Sequence, residues 1–160
     1  MIKLKTINWD NFWDVIAIEP TENQKKYVQP VSVFLAESYI NLKENFSDIS
    51  LAIYDDKKLI GFCKVVFIPK KEVTYNLSKS SYMIDALIIA KEYQGKGYGK
   101  KALIKLIDYI KTLPFGKAET IALVCYDENQ KAINLFKVFG FIKSKPKQKN
   151  KGMYIYLRNI

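Results

Sequence analysis

The chain has 160 residues, 49% of them apolar and 26% charged, and its formal net charge is +10. That length fits one domain able to bury its own core without disulfide or metal staples. No histidine is present, which excludes Ser-His-Asp and Cys-His hydrolases, His-ligated metal sites and histidine base catalysis.

Met1 to Ile7 alternates apolar and basic residues and reads as a first strand. It lacks the apolar segment and small-residue cleavage site of a signal peptide. Asn8 is placed to cap a helix from Trp9 to Ile18, with Phe12, Val15 and Ile16 on one face and Pro20 as its stop. A second helix is predicted from Pro30 to Asn41, with Val31, Phe34, Leu35 and Ser38 on one side. Ile49 to Tyr54 and Leu59 to Ile68 read as a hairpin around Asp55-Asp56-Lys57-Lys58. Tyr82 to Ala90 is a third hydrophobic strand. A glycine-rich turn follows it and opens an amphipathic helix carrying Leu103, Leu106, Ile107 and Ile110. Glu119 to Cys125 is a strand. Asn129 to Val138 is a helix with Ala132, Leu135, Phe136 and Phe139 on one face, and Gly140 stands at its end. Phe141 to Ser144 and Met153 to Leu157 form a final hairpin around a lysine-rich loop. The order β-α-α-β-β-β-α-β-α-β-β predicts a mixed α/β fold on one twisted sheet flanked by helices, a single domain over residues 1–160.

Cys63 and Cys125 each lie inside an apolar run and read as small core residues of a protein in the reducing cytoplasm. No apolar stretch approaches the roughly 20 residues needed to span a bilayer, so no membrane partner is expected. The basic balance points to an anionic partner: nucleic acid, a phosphorylated cofactor or a membrane surface. A lysine-coated, solvated surface explains it equally well.

The chemistry concentrates in Leu87-Ile88-Ile89-Ala90-Lys91-Glu92-Tyr93-Gln94-Gly95-Lys96-Gly97-Tyr98-Gly99. A strand feeds a turn with glycines at alternate positions, and the turn opens a helix whose first N–H groups are unpaired and whose dipole end is positive. That arrangement is a phosphate cradle. A Walker loop is absent, and a dinucleotide GxGxxG fails because its third glycine falls on Lys100. The spacing is Gln-x-x-Gly-x-Gly, formed by Gln94, Gly97 and Gly99.

This spacing resembles the acyl-CoA loop of the GNAT superfamily of N-acetyltransferases. Asn129, Ala132, Leu135, Gly140 and Phe141 resemble that family's Asn-x-x-Ala-x-x-Leu-Tyr-x-x-x-Gly-Phe helix, and the element order also fits. The resemblance covers nearly the whole chain. It implies the GNAT fold, acetyl-CoA as donor and no metal. It also implies that the loop Gln94, Gly95, Lys96, Gly97, Tyr98, Gly99 and Lys100 holds the CoA pyrophosphate. The backbone of Leu87, Ile88 and Ile89 would meet the pantetheine arm, the Ile89 amide would polarise the thioester carbonyl, and Asn129 would contact the CoA arm. A plain helix cap for Asn129 and solvated surface lysines for Lys96 and Lys100 are the competing readings.

A closer resemblance is to bacterial spermine/spermidine and diamine acetyltransferases. Gln24, Val28, Ser32 and Ala36 echo a helix entry of that group, and Asp85 stands where its members carry an acidic residue on the strand. A primary amine with pKa near about 10.4 must lose a proton before it attacks, at a cost of roughly 4–5 kcal/mol at pH 7. Asp85, in a hydrophobic strand where aspartate fits poorly, is the candidate to bind the amine or take its proton. A purely structural carboxylate is the alternative. The family's usual tyrosine general acid falls on Phe136, which has no hydroxyl. Tyr126 or Tyr98 is the candidate replacement. Glu19, Glu22 and Glu37 fall in the helices that cover the acceptor side in this family and are candidates to recognise a cation. The expected activity is acetyl transfer to a primary amine by direct attack, with a polyamine such as spermidine or spermine as acceptor. A protein or peptide amine, an aminoglycoside-like amine and a non-catalytic acyl-CoA sensor are the alternatives. A homodimer fits the family. Lys143, Lys145, Lys147, Lys149 and Lys151 alternate in one loop and could grip nucleic acid, but no nucleic-acid-binding pattern accompanies them, so no such partner is expected.

Overall fold

Among the described residues, seven strands form one sheet in the order β1-β2-β3-β4-β5-β7-β6. They are β1 (Ile2–Thr6), β2 (Asp48–Asp55), β3 (Lys58–Ile68), β4 (Ser81–Ile89), β5 (Thr120–Tyr126), β6 (Ile142–Pro146) and β7 (Met153–Asn159). The computed structural model describes residues 1–70, 77–146 and 152–160, without the side chains of residues 145 and 146. Every neighbouring pair is antiparallel except β4 with β5. Both faces of the sheet are covered. The apolar stripe of α4 (Tyr98–Lys111) buries Ala102, Leu103, Leu106, Ile107 and Ile110 on one face, beside Ile133 of α5 (Gln130–Val138). On the other face, Val15 of α1 (Phe12–Ile16) and Val31 and Phe34 of α3 (Val31–Lys43) pack on Ala52, Phe62, Ala86 and Ile88.

The first helix starts later than predicted. The Asn8 side chain accepts the Asp10 N–H, and its carbonyl accepts the N–H groups of Asn11 and Phe12. The Asn11 side chain ties the Asn8 N–H to the Thr6 carbonyl. These local bonds hold a turn over residues 8–11, so the helix begins at Phe12. The four-residue helix α2 (Glu22–Lys25) was not predicted, because one turn carries no periodicity. Lys147, Lys149 and Lys151 of the predicted lysine loop lie outside the described residues. Lys143 sits 2.6 Å from Asp127 and 3.4 Å above the Tyr154 ring. Among the described residues no helix is long and apolar enough to cross a membrane.

Two irregularities position the site. The parallel ladder between β4 and β5 runs only from Ser81↔Thr120 to Ile84↔Leu123. Beyond it the strands diverge. At the same place, the β3–β4 register passes from Val65↔Ile84 to Lys64↔Ala86, which leaves Asp85 as the extra residue of a β-bulge. The bulge shifts the alternation by one, so Ile84 and Leu87 face α4 while Ala86 and Ile88 face α3.

Candidate active site

The diverging strands enclose a cleft of about 430 Å³. Asp85 to Ile89 and Leu123 to Tyr126 form its walls. The glycine loop and the first turn of α4 close one end, Asn129, Ala132, Leu135 and Phe136 of the α5 region form another side, and Gln24, Tyr27 and Val28 lie over it.

The glycine end is built as the motif requires. Gly95 and Gly97 both have φ +76°, a conformation that strains any side chain, and Gly97 is the residue before α4. The α4 ladder begins with Lys101 N–H to the Gly97 carbonyl, so the amides of Tyr98, Gly99 and Lys100 head the helix without an intrahelical partner. A Cβ on Gly99 would lie 3.8 Å from Leu135 Cδ2 and 4.0 Å from Ile89 Cγ1, between two cleft-lining residues. Gln94 fixes the loop: its amide donates to the Ile89 carbonyl at 2.8 Å and to Gln24 Oε1 at 2.7 Å. Ala90 N–H bonds Ile60 on the β3 side, so the Ile89 amide faces the opposite way, into the gap. Gly61 makes this seat possible, because a Cβ there would stand 2.3 Å from the Ile88 oxygen. Lys100 and Lys131 line the cleft. Lys96 does not: its ammonium donates to the Glu92 carbonyl at 3.0 Å, beside the Tyr93 ring.

The two tyrosine candidates separate. Tyr98 lines the cleft, but its hydroxyl donates to Asp55 at 2.9 Å, and that carboxylate holds its pKa above the usual phenol range. The N-terminal ammonium and this hydroxyl together lower the pKa of Asp55. Tyr126 lines the cleft with its ring 5.7 Å from that of Tyr27. The Asn129 side chain accepts the Ala132 N–H at 3.3 Å, a helix cap that also borders the cleft. Phe136 borders it too and packs edge-on to Phe141 at 5.9 Å. Cys125 is on the wall; burial pushes its thiol up to about 11, and that of core Cys63 to about 12.

Asp85 is partly exposed and faces the cleft from the bulge, and Lys64 Nζ lies 3.2 Å from its Oδ2. Lys64 is 1% exposed and also meets Glu37 at 3.2 Å and Asp48 at 3.7 Å. Of the three glutamates considered from sequence, only Glu37 joins this cluster. Glu22 pairs with Lys25, and Glu19 sits 3.6 Å from both Lys25 and Lys91. Sequence reasoning missed Lys64, Lys131, Tyr27 and Gly61. Lys64 had a visible signal: a cation inside the apolar run Leu59 to Ile68 is as anomalous as Asp85 in its strand. No group of three or more His, Cys, Asp or Glu among the described residues is arranged to hold a metal ion.

Residues 9–141 match the acetyltransferase (GNAT) family. The chain belongs to this family. The expected fold and enzyme class are thereby borne out. This acetyltransferase is 30% identical over 140 residues to a protein of Bacillus subtilis subsp. natto named probable spermine N(1)-acetyltransferase, covering 88% of this chain and 87% of the relative. It is 29% identical, with the same coverage, to the spermine/spermidine N(1)-acetyltransferase of Bacillus subtilis strain 168. The Vibrio cholerae spermidine N-acetyltransferase, solved with CoA and spermine, superposes with a TM-score of 0.67 at 19% identity over 99% of this chain and 94% of that one. The PaiA N-acetyltransferase of Thermoplasma acidophilum, solved with coenzyme A, gives a TM-score of 0.67 at 15% identity over 100% and 99%. These likenesses establish the shared fold.

Proposed function

We propose that this acetyltransferase moves acetyl from acetyl-CoA to a primary amine of a polyamine such as spermidine or spermine. The observation that carries the reading is the wedge between β4 and β5, with a glycine loop and the unpaired amides of a helix start at one end and a bulged carboxylate on its wall. The residues fit a CoA donor. The unpaired amides heading α4 suit its pyrophosphate, Lys100 and Lys131 add positive charge to the lining, and the inward-facing Ile89 amide suits the thioester oxygen. The two curated relatives named as spermine acetyltransferases support a polyamine acceptor.

In this reading, Asp85 binds the substrate ammonium and accepts its proton, directly or through water. The freed nitrogen attacks the thioester carbon, the C–N bond forms, and the C–S bond breaks. Tyr126 gives its own proton to the departing sulfur, because Phe136 has none to give and Tyr98 is committed to Asp55, and the second proton shed by the nitrogen as the amide forms restores the Tyr126 hydroxyl. A thiolate is a good leaving group near neutral pH, with a reference pKa of about 8.5, so the general acid contributes at the lower end of its usual range. The two buried, free cysteines suit a reducing cytoplasm.

The test is thiol release from acetyl-CoA by the purified protein with and without spermidine, repeated for Asp85→Asn. Spermidine-dependent release that falls in the variant supports the reading. Wild-type kcat/KM in Asp85→Asn at every pH rules out the role given to Asp85. Acetyl-CoA binding by calorimetry without any amine-dependent release favours an acyl-CoA sensor, the reading that Phe136 supports.

A further inference from the structure

We propose that Lys64 is a positioning residue that sets the Asp85 carboxylate for the acceptor amine; this rests on the reading of Asp85 given above. A lysine ammonium taken almost completely out of water carries a large desolvation cost, which only close, well-placed partners offset. A methionine or leucine would fill the same place in the sheet without that cost. Lys64 is 1% exposed, its ammonium lies 5.9 Å from the centroid of the Phe34 ring, and it meets carboxylates from three separate elements: Glu37 on α3, Asp48 on β2 and Asp85 on β4.

These partners differ in what they face. Asp48 is 8% exposed and takes a second bond from the Asn41 amide at 2.6 Å. Glu37 is 42% exposed and does not line the cleft. Asp85 is 26% exposed and does line it. Asp85 is also the bulge residue, the one place in β4 where the regular ladder does not dictate side-chain direction. Lys64 supplies what the ladder lacks. By engaging Oδ2 it pins the carboxylate to β3 and, through Asp48 and Glu37, to β2 and α3. A catalytic group needs such support, since a displacement of about 1 Å costs roughly 100-fold in rate. Lys64 therefore acts through Asp85 and does not itself touch the amine.

The test is a double-mutant cycle. Lys64→Met is made in the wild-type and in the Asp85→Asn background, with spermidine turnover, acetyl-CoA affinity and Tm measured for each. The expected result is a fall of about 100-fold in kcat/KM for spermidine in the wild-type background. In the Asp85→Asn background the further change is at most about twofold, and acetyl-CoA affinity is likewise held within about twofold in both. Equal losses in the two backgrounds overturn the proposal, because Lys64 then serves the fold alone. Full activity of Lys64→Met overturns it as well. Should Lys64→Met not melt cooperatively, the triple variant Glu37→Gln, Asp48→Asn, Lys64→Met removes the stranded charges and keeps Asp85. Low turnover with a restored Tm supports positioning. Restored turnover, or a triple variant that still does not fold, overturns it. Wild-type turnover in Asp85→Asn alone marks a different failure, that of the Asp85 reading itself.

Discussion

Gly99→Ala separates the ligand role proposed for the glycine loop from its structural role, because the two respond with opposite sign. Gly99 lies in the first turn of α4 without positive φ, and its added Cβ would meet Leu135 Cδ2 at 3.8 Å and Ile89 Cγ1 at 4.0 Å, ordinary van der Waals contacts. An alanine that fits the native backbone stabilises by about 0.4–1 kcal/mol through the unfolded chain. At this chain length each kcal/mol moves Tm by about 2–4 °C, so Tm should rise by roughly 1–4 °C. The same methyl projects between two cleft-lining side chains, where an acyl-CoA arm would pass. Forcing a methyl into a filled contact costs about 1–3 kcal/mol, which is about 5- to 150-fold in acetyl-CoA affinity. Calorimetric titration with acetyl-CoA and a thermal melt measure both quantities on one preparation. A raised Tm with unchanged affinity would refute the placement of the donor. A lowered Tm would refute the packing around Gly99.

Gly61→Ala should do the opposite and destabilise the fold. The Ile88 oxygen, 2.3 Å from the new Cβ, must retreat to at least 3.0 Å, and overpacking of this kind costs about 1–3 kcal/mol, read as a lower denaturation midpoint. Tyr126→Phe should lower kcat toward the small end of the general-acid range, about 100-fold, with acetyl-CoA affinity unchanged; unchanged kcat would return the proton to water. Alkylation of Cys125 should rise about tenfold per pH unit from pH 7 to 10, because its thiolate form is disfavoured below about 11, whereas an ordinary thiol levels off near about 8.5. Saturating acetyl-CoA should slow that labelling, since Cys125 is on the cleft wall; equal rates with and without it would argue against occupancy there.

What was legible from sequence was what is encoded by neighbours in the chain. The strand, the alternate glycines and the α4 stripe occupy one continuous segment, and the positive φ of Gly95 and Gly97 follows from local geometry alone. The late start of α1 was equally local but turned on side-chain bonds of Asn8 and Asn11 that outcompeted the helix. The rest depends on register and strand divergence. Tyr98 was an open general-acid candidate until the fold brought its hydroxyl to Asp55, 43 positions away, and Gln94 meets Gln24 across 70. The Lys64 cluster draws one group from each of four elements and exists only because β3 and β4 pair with a bulge at Asp85. A slip of one residue would send Lys64 to the other face of the sheet. Local propensity wrote the glycine loop and the helix faces, while the sheet register alone set the carboxylate, its buried lysine and the cleft beside each other.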